Sequence, residues 1–202
     1  TENMYPVMLN LRNKKAVVVG GGNVASRKIA GLVAEGSIVS VISPKINEAI
    51  KVLVQQGDVH WVARTFEKLD VEGAFIIIAA TDSQSVNAQV ASCCLPDQLV
   101  NIVDDPKQST FHVPAKVQRG DLVITVSTGG ASPLLAKKIR NELAEHYPAD
   151  YEGYIAFLAE ARQRILAQGL TPDKRKALLE ESQQQHYYHS LQARQLFLQQ
   201  RF

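Results

Sequence analysis

The feature that most constrains this chain is a short β-branched run that leads straight into a glycine loop. Ala16-Val17-Val18-Val19 is followed by Gly20-Gly21-Gly22-Asn23-Val24-Ala25. The run suits a buried parallel strand. From Val24 to Glu35 the apolar residues Val24, Ile29, Leu32 and Val33 recur at helical spacing, and Gly36 closes that helix as a residue able to adopt the left-handed conformation. A G-x-G-x-x-A loop is weak evidence alone, but between a strand and a helix it is the setting of a dinucleotide site. Gly20 permits the tight turn, Gly22 lets the backbone approach a pyrophosphate, and Ala25 allows close helix–strand packing. The helix N-terminus then offers free N–H groups and a positive dipole end. A dinucleotide, NAD in the first instance, is the expected ligand; a glycine turn without a ligand is the alternative.

Further strand signals follow at Ile38–Ile42, Val59–Val62, Ala74–Ala79 and Leu99–Val103, with helical spacing at residues 46–54 and 83–95 between them. Strands alternating with helices predict an α/β fold with a doubly wound, right-handed parallel sheet. After Asp104 the pattern changes. Phe111–Val113 and Leu122–Ser127 read as strands with no crossover helix between them. Ser132-Pro133 reads as an N-cap and first helical residue, with a helix to about Tyr147. From Tyr151 the chain is helical and polar, broken at Gly169 and Pro172, and its Gln-rich end reads as solvated surface.

Composition narrows the partners. The 202 residues carry 22 Lys and Arg against 20 Asp and Glu, a net charge of +2 that makes no case for nucleic acid. Cys93 and Cys94 are neighbours, which gives neither a disulfide framework nor a metal site. No run of about 18 apolar residues suggests a membrane span, and no charged-then-apolar leader opens the chain, so a cytoplasmic protein is expected.

Several residues are placed to do chemistry. An acidic ribose-binding residue is expected at the end of the second strand, but Ser43-Pro44-Lys45 stands there. That leaves NAD and NADP both open on chemical grounds, since Lys45 suits a 2′-phosphate. Ala79-Ala80-Thr81-Asp82 ends the fourth strand at the ligand edge; it either lines the cofactor or forms a turn with Asp82 capping the next helix. Asp104 and Asp105 end the fifth strand, where a carboxylate can take a proton as hydride leaves, or simply close a turn before Pro106. His112 has a side chain suited to proton transfer, or sits in its strand as a structural residue. Ser127-Thr128-Gly129-Gly130-Ala131-Ser132-Pro133 is a second small-residue loop before a helix, either an anion site or a tight connection. Among the bases, Arg27, Lys28, Lys107, Lys116, Arg119, Lys137, Lys138 and Arg140 include several that suit a polycarboxylate. His186 and His189 lie at i, i+3 with nothing near them that completes a metal site, so no metal ligand is assigned.

Taken together, Met4-Tyr5-Pro6, the segment Val19–Lys28, Ala79–Asp82, Asn101–Asp104 and Ser127–Pro133 resemble the precorrin-2 dehydrogenase family of siroheme synthesis, in motif order and spacing over nearly the whole chain. The resemblance implies NAD-dependent oxidation of precorrin-2 to sirohydrochlorin, with insertion of ferrous iron (Fe2+) by the same site in some members. It implies a homodimer with a Rossmann-type domain at 1–112, a small α+β dimerisation region at 113–148 and a C-terminal helical domain at 149–202, the active site lying in a cleft between them. Carried over residue by residue, Gly20, Gly22, Asn23 and Val24 would hold the pyrophosphate. Ser43, Pro44 and Lys45 would meet the adenosine ribose, and Asp104 would be the catalytic aspartate. Thr128 stands where some relatives carry serine. We add Thr81 and Asp82 to the cofactor site, His112 to the catalytic residues, and Thr128, Lys116 and Arg119 to the substrate side. The competing class is a non-catalytic Rossmann regulatory protein that senses NAD; it would need neither Asp104 nor the second loop.

Overall fold

The computed structural model describes residues 4–202. The chain divides at Val113–Pro114 into two compact units.

The first unit is a five-stranded parallel sheet in the order β3-β2-β1-β4-β5, with β1 at Lys15–Val19, β2 at Ile38–Ile42, β3 at Val59–Val62, β4 at Ile76–Ala79 and β5 at Leu99–Ile102. Helices α1 (Asn23–Ala34), α2 (Glu48–Gln55) and α3 (Gln84–Cys93) cross between strands. Strand residues are buried on both faces, which is why the sequence shows continuous β-branched runs rather than alternation. Ala16, Val18, Val41, Ile76 and Ile78 pack with Ala25, Ile29 and Leu32 of α1 and Ile50 of α2. Val17, Val19, Ile42, Ile77 and Ile102 pack on the other face with Val90 of α3 and Phe66. Gly36 ends α1 at φ +76°, its N–H donating to Val33 O while Ser37 N–H donates to Leu32 O, as a left-handed C-terminal cap requires. The strand order reverses between β1 and β4, so the crevice outside their carboxyl ends is the place this topology reserves for a ligand.

Two sequence expectations need correction here. The segment Phe111–Val113 is not a strand. Along that edge of β5 one backbone bond remains, Thr110 N–H to Val100 O at 2.8 Å, and side chains make the other hydrogen bonds: Thr110 Oγ1 accepts from Val100 N–H at 2.8 Å, Ser109 Oγ accepts from Ile102 N–H at 2.9 Å, and Asn101 donates to Phe111 O at 3.1 Å. The helix after β4 is capped by Ser83, whose hydroxyl accepts from Val86 N–H, and not by Asp82. Cys93 and Cys94 are free and half-buried, and burial pushes the Cys94 thiol up to about 11.

The second unit opens with an antiparallel hairpin, β6 (Ala115–Arg119) and β7 (Leu122–Val126), turning through Gly120 at φ +57°. Only Val117 of β6 is buried, too little alternation to announce the strand in sequence. Helix α4 runs from Pro133 to His146 behind its Ser132 cap. Four helices follow: α5 (Tyr151–Ala167), α6 (Pro172–Ser182), α7 (Gln185–His189) and α8 (Leu191–Gln200). Their core is aromatic. Tyr154, Phe157 and Ala161 of α5 pack with Tyr187 of α7 and Phe197 of α8, and the Phe157 and Phe197 rings meet edge-on at 5.6 Å. The Gln-rich end is therefore amphipathic rather than wholly solvated surface. His186 and His189 are exposed, and among the described residues no three His, Cys, Asp or Glu side chains gather to hold a metal. No helix among them is long and apolar enough to cross a membrane.

Candidate dinucleotide site

The crevice beyond β1 and β4 is a cavity of about 880 Å3 within the first unit. Each sequence-predicted cofactor residue lines it: Gly20, Gly22, Asn23 and Val24 from the first loop, Ser43, Pro44 and Lys45 after β2, and Thr81 and Asp82 after β4.

The three loop glycines do different work. Gly20 sits at φ +125°, and a Cβ there would lie 2.3 Å from Ala80 O, so only glycine lets β1 turn against the end of β4. At Gly21, which sequence reasoning left without a role, a Cβ would lie 1.9 Å from Lys45 O; the loop and the β2–α2 connection touch backbone to backbone. Asn47 N–H donates to Gly21 O at 2.9 Å and fastens the same contact. Gly22 is the opposite case. Nothing lies within 4 Å of a Cβ built there, so its missing side chain leaves open space on the cavity side. Gly22 is also the N-cap of α1, and no side chain caps that helix. The first N–H groups of α1 thus lack the partners that helix ends require, beside a cavity into which Gly22 adds no bulk. That donor set fits a pyrophosphate.

On the β2 side, Ser43 is buried and its hydroxyl donates to Lys45 O at 2.7 Å, while Trp61 Nε1–H donates to Ser43 O at 2.8 Å. These bonds hold the turn in shape where an acidic ribose ligand would otherwise stand. Asn47 caps α2 by accepting from Ile50 N–H and donates to Asn23 Oδ1 at 3.1 Å, so one side chain ties α2 to the first turn of α1. Lys28, further along α1, is half-buried; that burial, and then the Arg27 charge, lower its pKa.

Asp104 and Asp105, equivalent in the sequence, separate in space. Asp105 closes the turn: its carboxylate accepts from Gln108 Nε2 at 2.6 Å and from Lys107 N–H at 3.0 Å, and the Gln108 bond leads the causes holding its pKa down. Asp104 is exposed, and its Oδ1 accepts from Asn87 Nδ2 at 2.9 Å. His112 is half-buried in the connection that follows.

The residues named for the substrate side lie in the second unit. Lys116 is exposed on β6. Thr128 Oγ1 accepts from Ser132 N–H at 3.0 Å within its own loop. The Arg119 guanidinium donates to Tyr147 O at 2.8 Å, Ala144 O at 3.2 Å and Gln118 O at 2.8 Å. Arg119 therefore braces the carbonyl end of α4, a favourable place for a cation, rather than presenting an open fork to a carboxylate.

Comparison with known proteins fits this geometry. The NAD(P)-binding family model matches residues 7–115, the sirohaem biosynthesis protein central model residues 119–146, and the SirC C-terminal domain model residues 151–197. A precorrin-2 dehydrogenase from Priestia megaterium is 35% identical, with 98% of both chains covered. The chain belongs to the precorrin-2 dehydrogenase family. A solved structure of SirC, precorrin-2 dehydrogenase, superposes with a TM-score of 0.87 at 35% identity, covering 98% of each chain. A siroheme synthase from Pseudomonas fluorescens is 41% identical over 87% of this chain, but that stretch is only 38% of its length. The precorrin-2 dehydrogenase family thus also occurs as one part of larger proteins. The order of the three models along the chain places the glycine cavity wholly inside the NAD(P)-binding part of a precorrin-2 dehydrogenase.

Proposed function

We propose that this chain is an NAD-dependent dehydrogenase that oxidises precorrin-2 to sirohydrochlorin. The likeness to precorrin-2 dehydrogenases end to end, with an uncapped helix facing the glycine cavity, carries the reading. NAD, when bound, supplies the hydride acceptor. The chain's own residues supply the rest. Gly20 and Gly21 fix the loop, the N–H groups at the start of α1 with Gly22, Asn23 and Val24 hold the pyrophosphate, and Ser43, Pro44 and Lys45 shape the ribose end. Thr81 and Asp82 form the opposite wall.

Oxidation removes a proton along with the hydride, and Asp104 is the group we assign to receive it, with His112 next in line as a proton carrier. Lys116 and the Thr128 hydroxyl, whose oxygen accepts from Ser132 N–H and whose O–H is left to donate, serve the substrate carboxylates, a role for which the Arg119 contacts leave that residue less suited. The proposed assembly is a cytoplasmic homodimer, with residues 113–148 as its dimerisation region. A non-catalytic NAD sensor is disfavoured, because two relatives that match over 98% and 80% of this chain, and over nearly their whole length, are named as dehydrogenases. Likeness to siroheme synthases supports a second step, insertion of Fe2+ as a substrate.

The test is an anaerobic mixture of the protein, NAD+ and precorrin-2, followed by absorbance. NADH should rise together with sirohydrochlorin, and added Fe2+ should then remove the sirohydrochlorin spectrum. No NADH would overturn the first step; a stable sirohydrochlorin spectrum would overturn the second. In the same assay Asp104→Ala should bind NAD+ normally yet turn over about 100-fold or more slowly.

A further inference from the structure

Asn87 lies in the first turn of α3 and is 1% exposed. Asparagine is a poor helix former, and a buried amide is costly unless it is fully bonded. Here it is. Asn87 Oδ1 accepts from Thr81 N–H at 3.2 Å and from Thr81 Oγ1 at 2.7 Å. Asn87 Nδ2 donates to Thr81 O at 3.1 Å and to Asp104 Oδ1 at 2.9 Å. Two donors and two acceptors are the whole capacity of the side chain. Its orientation is also fixed by chemistry, because a peptide N–H needs an acceptor while a carbonyl and a carboxylate need donors. One buried amide therefore clamps both polar groups of the Thr81 backbone, on the wall of the nucleotide cavity, and one oxygen of Asp104.

We propose that Asn87 is a positioning residue for the dehydrogenation, holding the Asp104 carboxylate at a fixed station beside the Thr81 wall of the nucleotide cavity. The proposal rests on the reading of Asp104 given above. With Oδ1 engaged by Asn87, Oδ2 carries no protein hydrogen bond among the described residues and is the oxygen that receives the proton. Asparagine is the residue type that does this. Aspartate would set a second carboxylate against Asp104 and lose the donor to Thr81 O. Leucine would fill the space but leave four polar groups, the N–H, hydroxyl and carbonyl of Thr81 and Oδ1 of Asp104, without their Asn87 partner.

The experiment compares steady-state kinetics with NAD+ and precorrin-2 for the wild type, Asn87→Ala, Asp104→Ala and the double variant, with circular dichroism to report folding. Loss of positioning lowers the chemical step more than binding, so Asn87→Ala should lose at least about tenfold in kcat. Its KM values for NAD+ and precorrin-2 should stay within about threefold of the wild type. In the Asp104→Ala background the same substitution should cost nothing further, because the two side chains act as one unit. Wild-type kcat in Asn87→Ala, a loss confined to KM, or full additivity would each overturn the proposal. Should Asn87→Ala fail to fold, Asn87→Gln carries the test: it keeps the amide but displaces it by one methylene, and the same kcat loss is expected. Wild-type kcat in that variant, or failure of both variants to fold, overturns the proposal in favour of a purely structural role. Full turnover by Asp104→Ala would instead refute the reading of Asp104 itself, independently of Asn87.

Discussion

The two small-residue loops, Gly20 to Ala25 and Ser127 to Pro133, look alike in sequence: each leaves a strand, turns on consecutive glycines and starts a helix. The structure shows them satisfying their backbones in opposite ways. In the second loop side chains take up the free N–H groups. Ser127 Oγ accepts from Gly129 N–H at 3.2 Å, Thr128 Oγ1 from Ser132 N–H at 3.0 Å, and Ser132 Oγ from Leu135 N–H at 3.2 Å. In the first loop the cap is Gly22 and no side chain accepts from the first N–H groups of the helix. The glycines differ too. Gly129 and Gly130, at φ +60° and +84°, have open space where a Cβ would go and serve the turn alone, whereas Gly20 and Gly21 are pressed against other backbone. A helix N-terminus is an anion site only while its donors stay unclaimed, and that holds for the first loop.

The largest expected effect comes from Gly21→Ala. Its Cβ would collide with Lys45 O, so the loop and the β2–α2 connection must part. A loss of about 3 kcal/mol or more in denaturant unfolding, with NAD+ affinity down at least about tenfold, is the expected result. Near-wild-type stability would show that the two loops are equally permissive. Gly129→Ala should cost less, about 1–2 kcal/mol for the left-handed conformation alone, since no neighbour is struck, and NAD+ binding should be unchanged. Ser132→Ala removes the α4 cap and should cost about 1 kcal/mol by thermal unfolding, again without touching NAD+ binding. Weakened NAD+ binding in either second-loop variant would break the distinction.

Much of this was legible in sequence because burial on both faces leaves a strong mark. The runs Val17–Val19 and Ile76–Ile78 have no solvent face, so their apolar stretches announced β1 and β4 and, with the glycine loop, the ligand edge. The segment at 111–113 misled for a related reason: Phe111 packs against the sheet core, giving a strand-like apolar signal, while the hydroxyls of Ser109 and Thr110 accept from the Ile102 and Val100 N–H groups that strand carbonyls would have met. Within the site, the glycine motif named Gly20 and Gly22 but not Gly21, whose constraint comes from Lys45, distant in sequence. Asn47 and Asn87 were missed because their roles depend on partners 24 and 17 residues away. A signal for Asn87 did exist: an asparagine inside a helix, where propensity argues against it. Position and residue type alone left Asp104 and Asp105 equivalent and only the family resemblance singled out Asp104; the structure adds their different partners, Gln108 for Asp105 and Asn87 for Asp104.

The most direct test of the account is Gly22→Asp, read by thermal unfolding and NAD+ titration on one sample. The backbone at Gly22, φ −89° and ψ −168°, accepts any residue, and the space for a side chain is open. Aspartate is a good N-cap and complements the helix dipole, so folding should be retained or strengthened by about 0.5 kcal/mol. The same carboxylate would claim the N–H groups of α1 and repel a pyrophosphate, so NAD+ affinity should fall about 100-fold or more. A stable variant that still binds NAD+ like the wild type would contradict the claim that the uncapped helix holds the dinucleotide.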